Sequence, residues 1–223
     1  MQAVTRRRFT FLAGFAAYFA ALWLFWATPV VYPLKTFVVL LHEISHALAG
    51  IASGGDVERI LLTMDEGGAT QVRGGSPFLM LSAGYLGSLV WGILLLESAR
   101  APSRWLRRIV AAVGAFVMAI AILFLRNAFG IAFSLAFGAA LILASRRLSP
   151  RANAALLTVL GLTSALYAVL DIRSDILQRP HLESDAHMLF ELTGIPTVVW
   201  GVAWSAVALL LSGWALRRAY LEA

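Results

Sequence analysis

The stretch that decides the fold is Leu40 to Gly50, LLHEISHALAG, which carries His42, Glu43 and His46 inside an apolar run. Polar and ionisable side chains are costly in apolar surroundings, and within a membrane they generally mark a functional site. Residues four apart project from one face of a helix, so the two histidines are placed to share a metal ion, while Glu43 is turned by about 100°. The stretch therefore predicts a helix that carries a metal centre.

The composition around this stretch is that of an integral membrane protein. Of its 223 residues, 60% are hydrophobic and only 13% are charged, whereas soluble domains are about 25% charged. The net charge of +6 comes almost entirely from arginines near the ends of apolar runs. That pattern is typical of membrane topology and not of a nucleic-acid surface, so no nucleic-acid partner is expected. The absence of cysteine excludes a disulfide framework and a thiolate metal site.

Six further uncharged runs have lengths close to the roughly 20 residues that cross a hydrocarbon core as a helix. They are Phe9–Val31, Pro77–Leu96, Ile109–Leu125, Ala128–Ala144, Ala152–Leu170 and Thr197–Leu216. We expect an all-α polytopic membrane protein with six transmembrane helices, plus a His-bearing membrane helix at Thr36–Ala52 that either spans or re-enters the bilayer. The sequence on both sides of Asp65–Gly68 is strand-like and predicts a short β-hairpin. No second domain is evident, so residues 1–223 are expected to form one integral membrane domain.

The spacing of the two histidines around Glu43 is that of the His-Glu-x-x-His signature of zinc hydrolases. Zinc held by neutral imidazoles lowers the pKa of a bound water toward about 7, and an adjacent carboxylate can take the proton. Glu43 suits this role of general base better than it suits metal ligation. The alternative is a chance match, in which the histidines are polar contacts between helices.

The arginines also indicate which loops share a side of the membrane. Four clusters, at residues 6–8, 100–108, 146–151 and 217–218, are expected on the cytoplasmic side. All four fit that side only if the His-bearing helix re-enters. In either topology, four spans separate the loop at 53–76 from the loop at 171–196, so both loops face the same side.

Two smaller patterns concern packing. Gly84, Ser88 and Gly92 recur every four residues and predict a small-residue face that another helix approaches closely, with the His-bearing helix as the expected neighbour. Arg126 and Asn127 interrupt a long apolar run and indicate a tight interfacial turn between two helices. Neither pattern is interpreted as chemistry.

Five segments together resemble a known family. HEISHALAG, GGATQVRGG, AGYLGSLVWG, LRNAFG and ESDAHMLFELTGIP are similar to segments of the site-2 protease family of intramembrane zinc metallopeptidases, in its compact branch without a PDZ domain. The resemblance covers Leu40 to Pro196. It implies a zinc ion bound by two histidines and a distant aspartate, and cleavage of a substrate's transmembrane segment. It also implies that a strand near the zinc pairs with the unwound substrate.

The sequence offers several candidates for the third metal ligand. Longer members of the family carry an Asn and a Pro ahead of a Leu-Asp-Gly that supplies the ligand, and the nearest string in this chain is VLDIRSD. We expect Asp185, because SDAHMLFELTGIP resembles the motif of the compact branch. Asp171 and Asp175 remain candidates, although nearby arginines explain them as ion pairs, and His181 and His187 are the remaining ones.

The segment around Asp185 also has a local structural reading. Ser184 is a suitable N-cap, which places Asp185 in the first turn of a short amphipathic helix that ends at Gly194 and Pro196. An acid in that position also complements the helix dipole.

These observations favour an intramembrane zinc metalloprotease of the bacterial inner (cytoplasmic) membrane or thylakoid type. Its expected substrate is a membrane protein with a transmembrane helix, cleaved within the lipid bilayer or beside it. The alternatives are a non-catalytic zinc-binding scaffold or transporter, and a zinc hydrolase acting on a lipid or small molecule. A transporter would show polar residues along several spans, whereas here they concentrate in one motif and one loop.

Overall fold

The computed structural model describes residues 2–26, 28–173 and 184–222, with side chains except at positions 2–8, 10–12, 168–173, 212, 215, 216, 219, 221 and 222. In chain order the elements are α1 (Gln2–Phe25), α2 (Tyr32–Ala52), β1 (Asp56–Leu62), β2 (Gly68–Arg73), α3 (Pro77–Ser98), α4 (Ser103–Leu123), α5 (Ala128–Arg147), α6 (Pro150–Arg173), α7 (Asp185–Thr193) and α8 (Thr197–Glu222). The expected helices and the antiparallel β-hairpin are confirmed.

Four helices in the described part of the chain are long and apolar enough to cross a membrane: α2, α3, α4 and α5. The apolar parts of α1 and α8, Ala13–Phe25 and Thr197–Leu211, are shorter. The protein is therefore an integral membrane protein, while the count of six spans stays a prediction. The His-bearing helix α2 is among the four.

Helix α2 differs from the other three because it lies inside the protein. Of the 18 residues in its most apolar part, 67% are buried, against 28% in the corresponding parts of α4 and α5. Buried side chains run along most of its length, from Phe37 and Val38 through Ile44 to Ala47. Enclosure by the rest of the chain is what allows polar side chains on this helix.

The small-residue face of α3 packs mainly against α6, not against α2. A Cβ atom on Gly92 would lie 2.7 Å from the backbone nitrogen of Ala165 and 2.8 Å from the carbonyl oxygen of Gly161. One turn away, the Ser164 hydroxyl donates a hydrogen bond to the Ser88 carbonyl oxygen at 2.7 Å. The expected neighbour, α2, is met only at the Gly84 end of this face.

The turn between α4 and α5 also has a larger role than expected. The Ile60 amide donates to the Phe124 carbonyl oxygen at 2.9 Å, and the Ile60 carbonyl accepts from the Arg126 amide at 3.1 Å. The Asn127 side chain bonds both the amide and the carbonyl of Leu62, at 3.2 and 2.6 Å. One edge of β1 is therefore paired with β2, and its other edge is covered by this turn.

Helix α7 follows its local sequence closely. The Ser184 hydroxyl accepts a hydrogen bond from the His187 amide at 3.3 Å, as an N-cap does. Gly194 ends the helix in the left-handed region at φ 72°, where glycine has no Cβ penalty. The predicted helix from Asp185 to Gly194 is thus confirmed.

Candidate metal centre

The two histidines of α2 lie side by side, as their spacing predicts. Their ring centroids are 4.7 Å apart, and the side chains of His42 and His46 are only 13% and 11% exposed. The Nε2 atoms of both rings point toward the same carboxylate, that of Asp185. Its Oδ2 atom lies 3.0 Å from the His42 Nε2 and 3.3 Å from the His46 Nε2.

Asp185 reaches the histidines because α7 is docked by its apolar face. Ala186 and Leu189 are fully buried against Tyr85 of α3 and Trp204 of α8. This packing fixes the first turn of the helix, where Asp185 stands. The two imidazoles and the aspartate come from segments 143 residues apart, so a contact of this kind requires the whole helical bundle.

The distances from Asp185 to the two imidazoles fit a tetrahedral metal ion. Zinc bonds to nitrogen and oxygen of about 2.0–2.2 Å place two tetrahedral ligand atoms about 3.3 Å apart. The Oδ2–Nε2 distances of 3.0 and 3.3 Å are close to that spacing, and the shorter one also suits a direct hydrogen bond between His42 and Asp185 in the metal-free protein. The site further holds two carboxylates in a buried setting, and a divalent cation would offset their charge.

Gly84 leaves the space that this cluster occupies. A Cβ atom at this position would lie 2.4 Å from the His42 Nε2 and 2.6 Å from the Asp185 Oδ2. No side chain fits at such distances, so α3 approaches the cluster only because residue 84 is glycine. The Gly84 end of the small-residue face therefore borders the candidate metal centre, although the sequence indicated a role in packing only.

The orientation of His46 is fixed from outside the cluster. Its Nδ1 lies 2.7 Å from the carbonyl oxygen of Met80. Since a carbonyl can only accept, Nδ1 carries a proton, and Nε2 is the nitrogen that faces Asp185 and is placed to bind a metal. A hydrogen bond of this kind to the second ring nitrogen is usual for metal-ligating histidines.

Glu43 is buried against the hairpin, on a face of α2 turned by about 100° from the histidines. The Thr70 hydroxyl oxygen lies 2.7 Å from the Glu43 Oε2 and 3.0 Å from the Glu43 carbonyl oxygen. Gly68 is equally close: a Cβ atom there would lie 2.5 Å from the Glu43 Oε1. Ligand atoms of His42, Glu43 and His46 all lie within 4.8 Å of one another, so the carboxylate of Glu43 is adjacent to the histidines without sharing their side of the helix.

The aspartate is held in its charged form. Burial acts to raise the pKa of the Asp185 carboxyl, but the imidazoles of His46 and His42 outweigh burial and keep the pKa below its ordinary value. An ionised carboxylate is the form that binds a metal.

The structure brings His42, Glu43, His46 and Asp185 together, while their roles as metal ligands and base stay predictions. The other candidate ligands are not tested in this way, because the Asp171 side chain and the whole of residues 175 and 181 lie outside the described residues. His187 faces away along α7, with its Nε2 3.7 Å from Glu191.

Four contributors to the site were missed at the level of sequence. They are the Met80 carbonyl, the Tyr85 ring that meets His42 edge-on at 5.2 Å, and the pair Gly68 and Thr70 on β2. The string GGAT beside a predicted hairpin was the only available signal for the last two. Nothing local marks a carbonyl or an aromatic ring on α3 as a partner of α2.

Taken together, these features define a class: a helical membrane protein with a buried centre of two histidines and two carboxylates. The family model described as Peptidase M50B-like matches residues 15–215. The chain therefore belongs to this family, which is the site-2 protease family of membrane metalloproteases. No curated protein and no solved structure matches the chain.

Proposed function

We propose that the protein is an intramembrane zinc endopeptidase that hydrolyses a peptide bond in or near a transmembrane segment of another membrane protein. The observation that carries this proposal is the convergence of the His42 and His46 Nε2 atoms on Asp185, with the Glu43 carboxylate adjacent. A metal centre with three protein ligands and a separate carboxylate is the arrangement of catalytic zinc sites.

Asp185 is the better third ligand, although Glu43 lies close enough to be considered. Its Oδ2 is within 3.3 Å of both imidazole nitrogens, whereas a Glu43 oxygen is engaged by Thr70 of the hairpin. Two imidazoles and a carboxylate without sulfur ligands suit zinc. When bound, zinc supplies Lewis-acid polarisation of the scissile carbonyl and makes water more acidic.

Glu43 then serves as the general base. Its carboxylate takes a proton from the attacking water as the new bond from oxygen to the carbonyl carbon forms. When the carbon–nitrogen bond breaks, the protonated Glu43 returns the proton to the leaving amine. Glu43 is only 5% exposed, which limits the access of bulk water to its carboxylate.

The hairpin offers a place for an extended substrate. Ile60 and Leu62 direct their backbone groups toward the turn at 124–127. The β1 residues that alternate with them, such as Leu61, therefore direct their backbone groups toward β2. By the alternation of an antiparallel ladder, Gly68 and Thr70 direct theirs to the outer edge of β2. No hydrogen bond within the described residues reaches these groups, which leaves an edge beside Glu43 open to strand addition.

The substrate class follows from this edge and from the bilayer. A transmembrane helix hides its scissile carbonyl in the i to i−4 ladder, so it must unwind before it can pair with β2. We propose the bacterial inner membrane as its location, and the lipid bilayer and a helical membrane substrate as its partners.

The experiment is cleavage of candidate single-span proteins by the purified full-length chain, with the cut site mapped by mass spectrometry. Wild-type protein is expected to cut within or beside the apolar span. Glu43→Gln is expected to retain zinc and to lose turnover by about 10²- to 10⁴-fold, because an amide cannot accept the proton of water. Glu191→Gln, on the exposed side of α7, is the control and should keep activity.

Wild-type turnover in Glu43→Gln would contradict the proposed mechanism. Zinc binding without cleavage of any candidate would instead favour a scaffold or transporter.

The substrate itself provides a second test. Replacing Gly, Pro or Asn residues near the mapped cut site by Leu strengthens the helix by about 1 kcal/mol per glycine and about 3 per proline. Cleavage should slow accordingly. An unchanged rate would argue against presentation of the substrate as a strand.

A further inference from the structure

We propose that Thr70 is a positioning residue of the active site, which orients the Glu43 carboxylate through its hydroxyl group. This inference rests on the proposed function, because it assigns a role to Thr70 in the reaction in which Glu43 is the base. Thr70 lies outside the His-Glu-x-x-His motif and on a different element from the metal-binding residues.

The geometry of the Thr70 hydroxyl supports this role. Its oxygen lies 2.7 Å from the Glu43 Oε2 and 3.0 Å from the Glu43 carbonyl oxygen. A hydroxyl has one proton to donate, and a hydrogen bond to a carboxylate is about twice as strong as one to a neutral acceptor. The proton is therefore directed to Oε2, which leaves Oε1, beside Gly68, as the oxygen that can accept the proton of the reacting water.

The Glu43 side chain needs such an anchor because it is long and stands next to two metal ligands. Gly68 gives the carboxylate room, since a Cβ atom there would lie 2.5 Å from Oε1 and 2.6 Å from Cγ. With room and no anchor, the carboxylate can turn toward the metal centre and act as a ligand instead of a base. A displacement of about 1 Å in a reacting group can cost about 10²-fold in rate.

Thr70 also connects the base to the proposed substrate edge. Its side chain holds Glu43, while its backbone groups face the open edge of β2. A peptide that pairs with this edge therefore fixes the residue that holds the base. Turnover, more than substrate affinity, should depend on the hydroxyl.

The test compares Thr70→Val, which keeps the shape and removes the hydroxyl, with Thr70→Ser, which keeps the hydroxyl. In the full-length protein, assayed with a substrate that the wild type cleaves, Thr70→Val should lower kcat by about 10- to 100-fold. Its KM and its bound zinc should stay within about 2-fold of wild type, because the metal ligands and the strand backbone are untouched. Thr70→Ser should recover kcat to within about 3-fold of wild type. Gln71→Ala, on the exposed face of the same strand, is the matched control and should resemble wild type.

Wild-type kcat in Thr70→Val overturns the proposal, as does an equal loss of kcat in Thr70→Ser. A loss of zinc in Thr70→Val also overturns it, since that result makes Thr70 a structural residue.

A second measurement separates this proposal from the proposed function. Thermal unfolding of metal-free protein is compared for Thr70→Val, Glu43→Met and the double variant. If Thr70 bonds Glu43, the sum of the Tm shifts of the two single variants exceeds the Tm shift of the double variant, because either change alone breaks the same contact. Additive shifts overturn the proposal, whether or not any substrate is cleaved. Absence of cleavage by wild-type protein contradicts only the proposed function.

Discussion

The two sides of α2 that meet at the site are enclosed by different kinds of structure. The metal side, formed by His42, His46 and Asp185, is closed by the packed helices α3 and α7. The base side, formed by Glu43, Gly68 and Thr70, is closed by a hairpin, and no hydrogen bond within the described residues reaches the outer edge of β2 at Gly68 and Thr70. Helix packing can hold a metal with fixed geometry, whereas an open strand edge can receive a peptide. The comparison predicts that changes on the metal side remove the metal, and that changes on the base side remove turnover and leave the metal in place.

The largest effect is expected for His46→Ala on the metal side. Loss of an imidazole ligand should abolish stoichiometric zinc binding and lower turnover by about 10³-fold or more, because Lewis-acid catalysis supplies several kcal/mol. Zinc content by elemental analysis and cleavage of the same sample check this result. The control is His187→Ala, whose ring lies beside Glu191. Full zinc occupancy in His46→Ala would show that His46 is not a metal ligand.

A smaller effect is expected for Gly84→Ala. The added methyl group would meet the His42 Nε2 and the Asp185 Oδ2, so the ligands must separate and zinc affinity should fall by about 10- to 100-fold, as when a ligand loses its support. Competition with a chelator measures the affinity. The matched control is Gly14→Ala, where a Cβ atom meets nothing within 4 Å. Equal affinities in the two variants would show that the cluster does not depend on the space at residue 84.

On the base side, Gly68→Ala should lower kcat by about 10-fold and leave zinc affinity unchanged. The methyl group would collide with the Glu43 carboxylate, and the cost of a misplaced base appears in the rate. Steady-state kinetics and zinc content are measured together, with Gln71→Ala as the control. A variant that loses zinc along with turnover would break the separation between the two sides.

The smallest functional effect is expected away from both sides, at the crossing of α3 and α6. Gly92→Ala places a methyl group against the backbone of Gly161 and Ala165, and overpacking of this kind costs about 1–3 kcal/mol. The Tm should fall relative to Gly14→Ala, while zinc affinity and kcat at low temperature stay near wild type. An unchanged Tm would mean that the crossing adjusts without cost.

The sequence predicts much of this architecture because many of its signals are local. Apolar runs mark the helices, the strand-like residues around Asp65–Gly68 mark the hairpin, and Ser184 with Gly194 marks the ends of α7. His42, Glu43 and His46 share one helical turn, so their proximity follows from spacing alone. These features need no knowledge of the distant parts of the chain.

The contacts that the sequence does not predict join elements far apart in the chain. The small-residue face of α3 suits any close helix, and only the fold shows that Gly92 meets α6. Asn127 looks like part of a turn, yet its amide side chain covers the edge of β1 at Leu62. Thr70 has no local mark as a partner of Glu43. Side-chain chemistry allows many partners in each case, and the packing of the whole bundle selects one.

The most direct test of the account is the zinc content and turnover of Asp185→Ala and Glu43→Gln, measured on the same folded samples with Asp171→Ala as comparator. We expect Asp185→Ala to lose both zinc and turnover, Glu43→Gln to keep zinc and lose turnover, and Asp171→Ala to keep both. Full zinc occupancy in Asp185→Ala, together with its loss in Asp171→Ala, would contradict the account and move the third ligand to the end of α6.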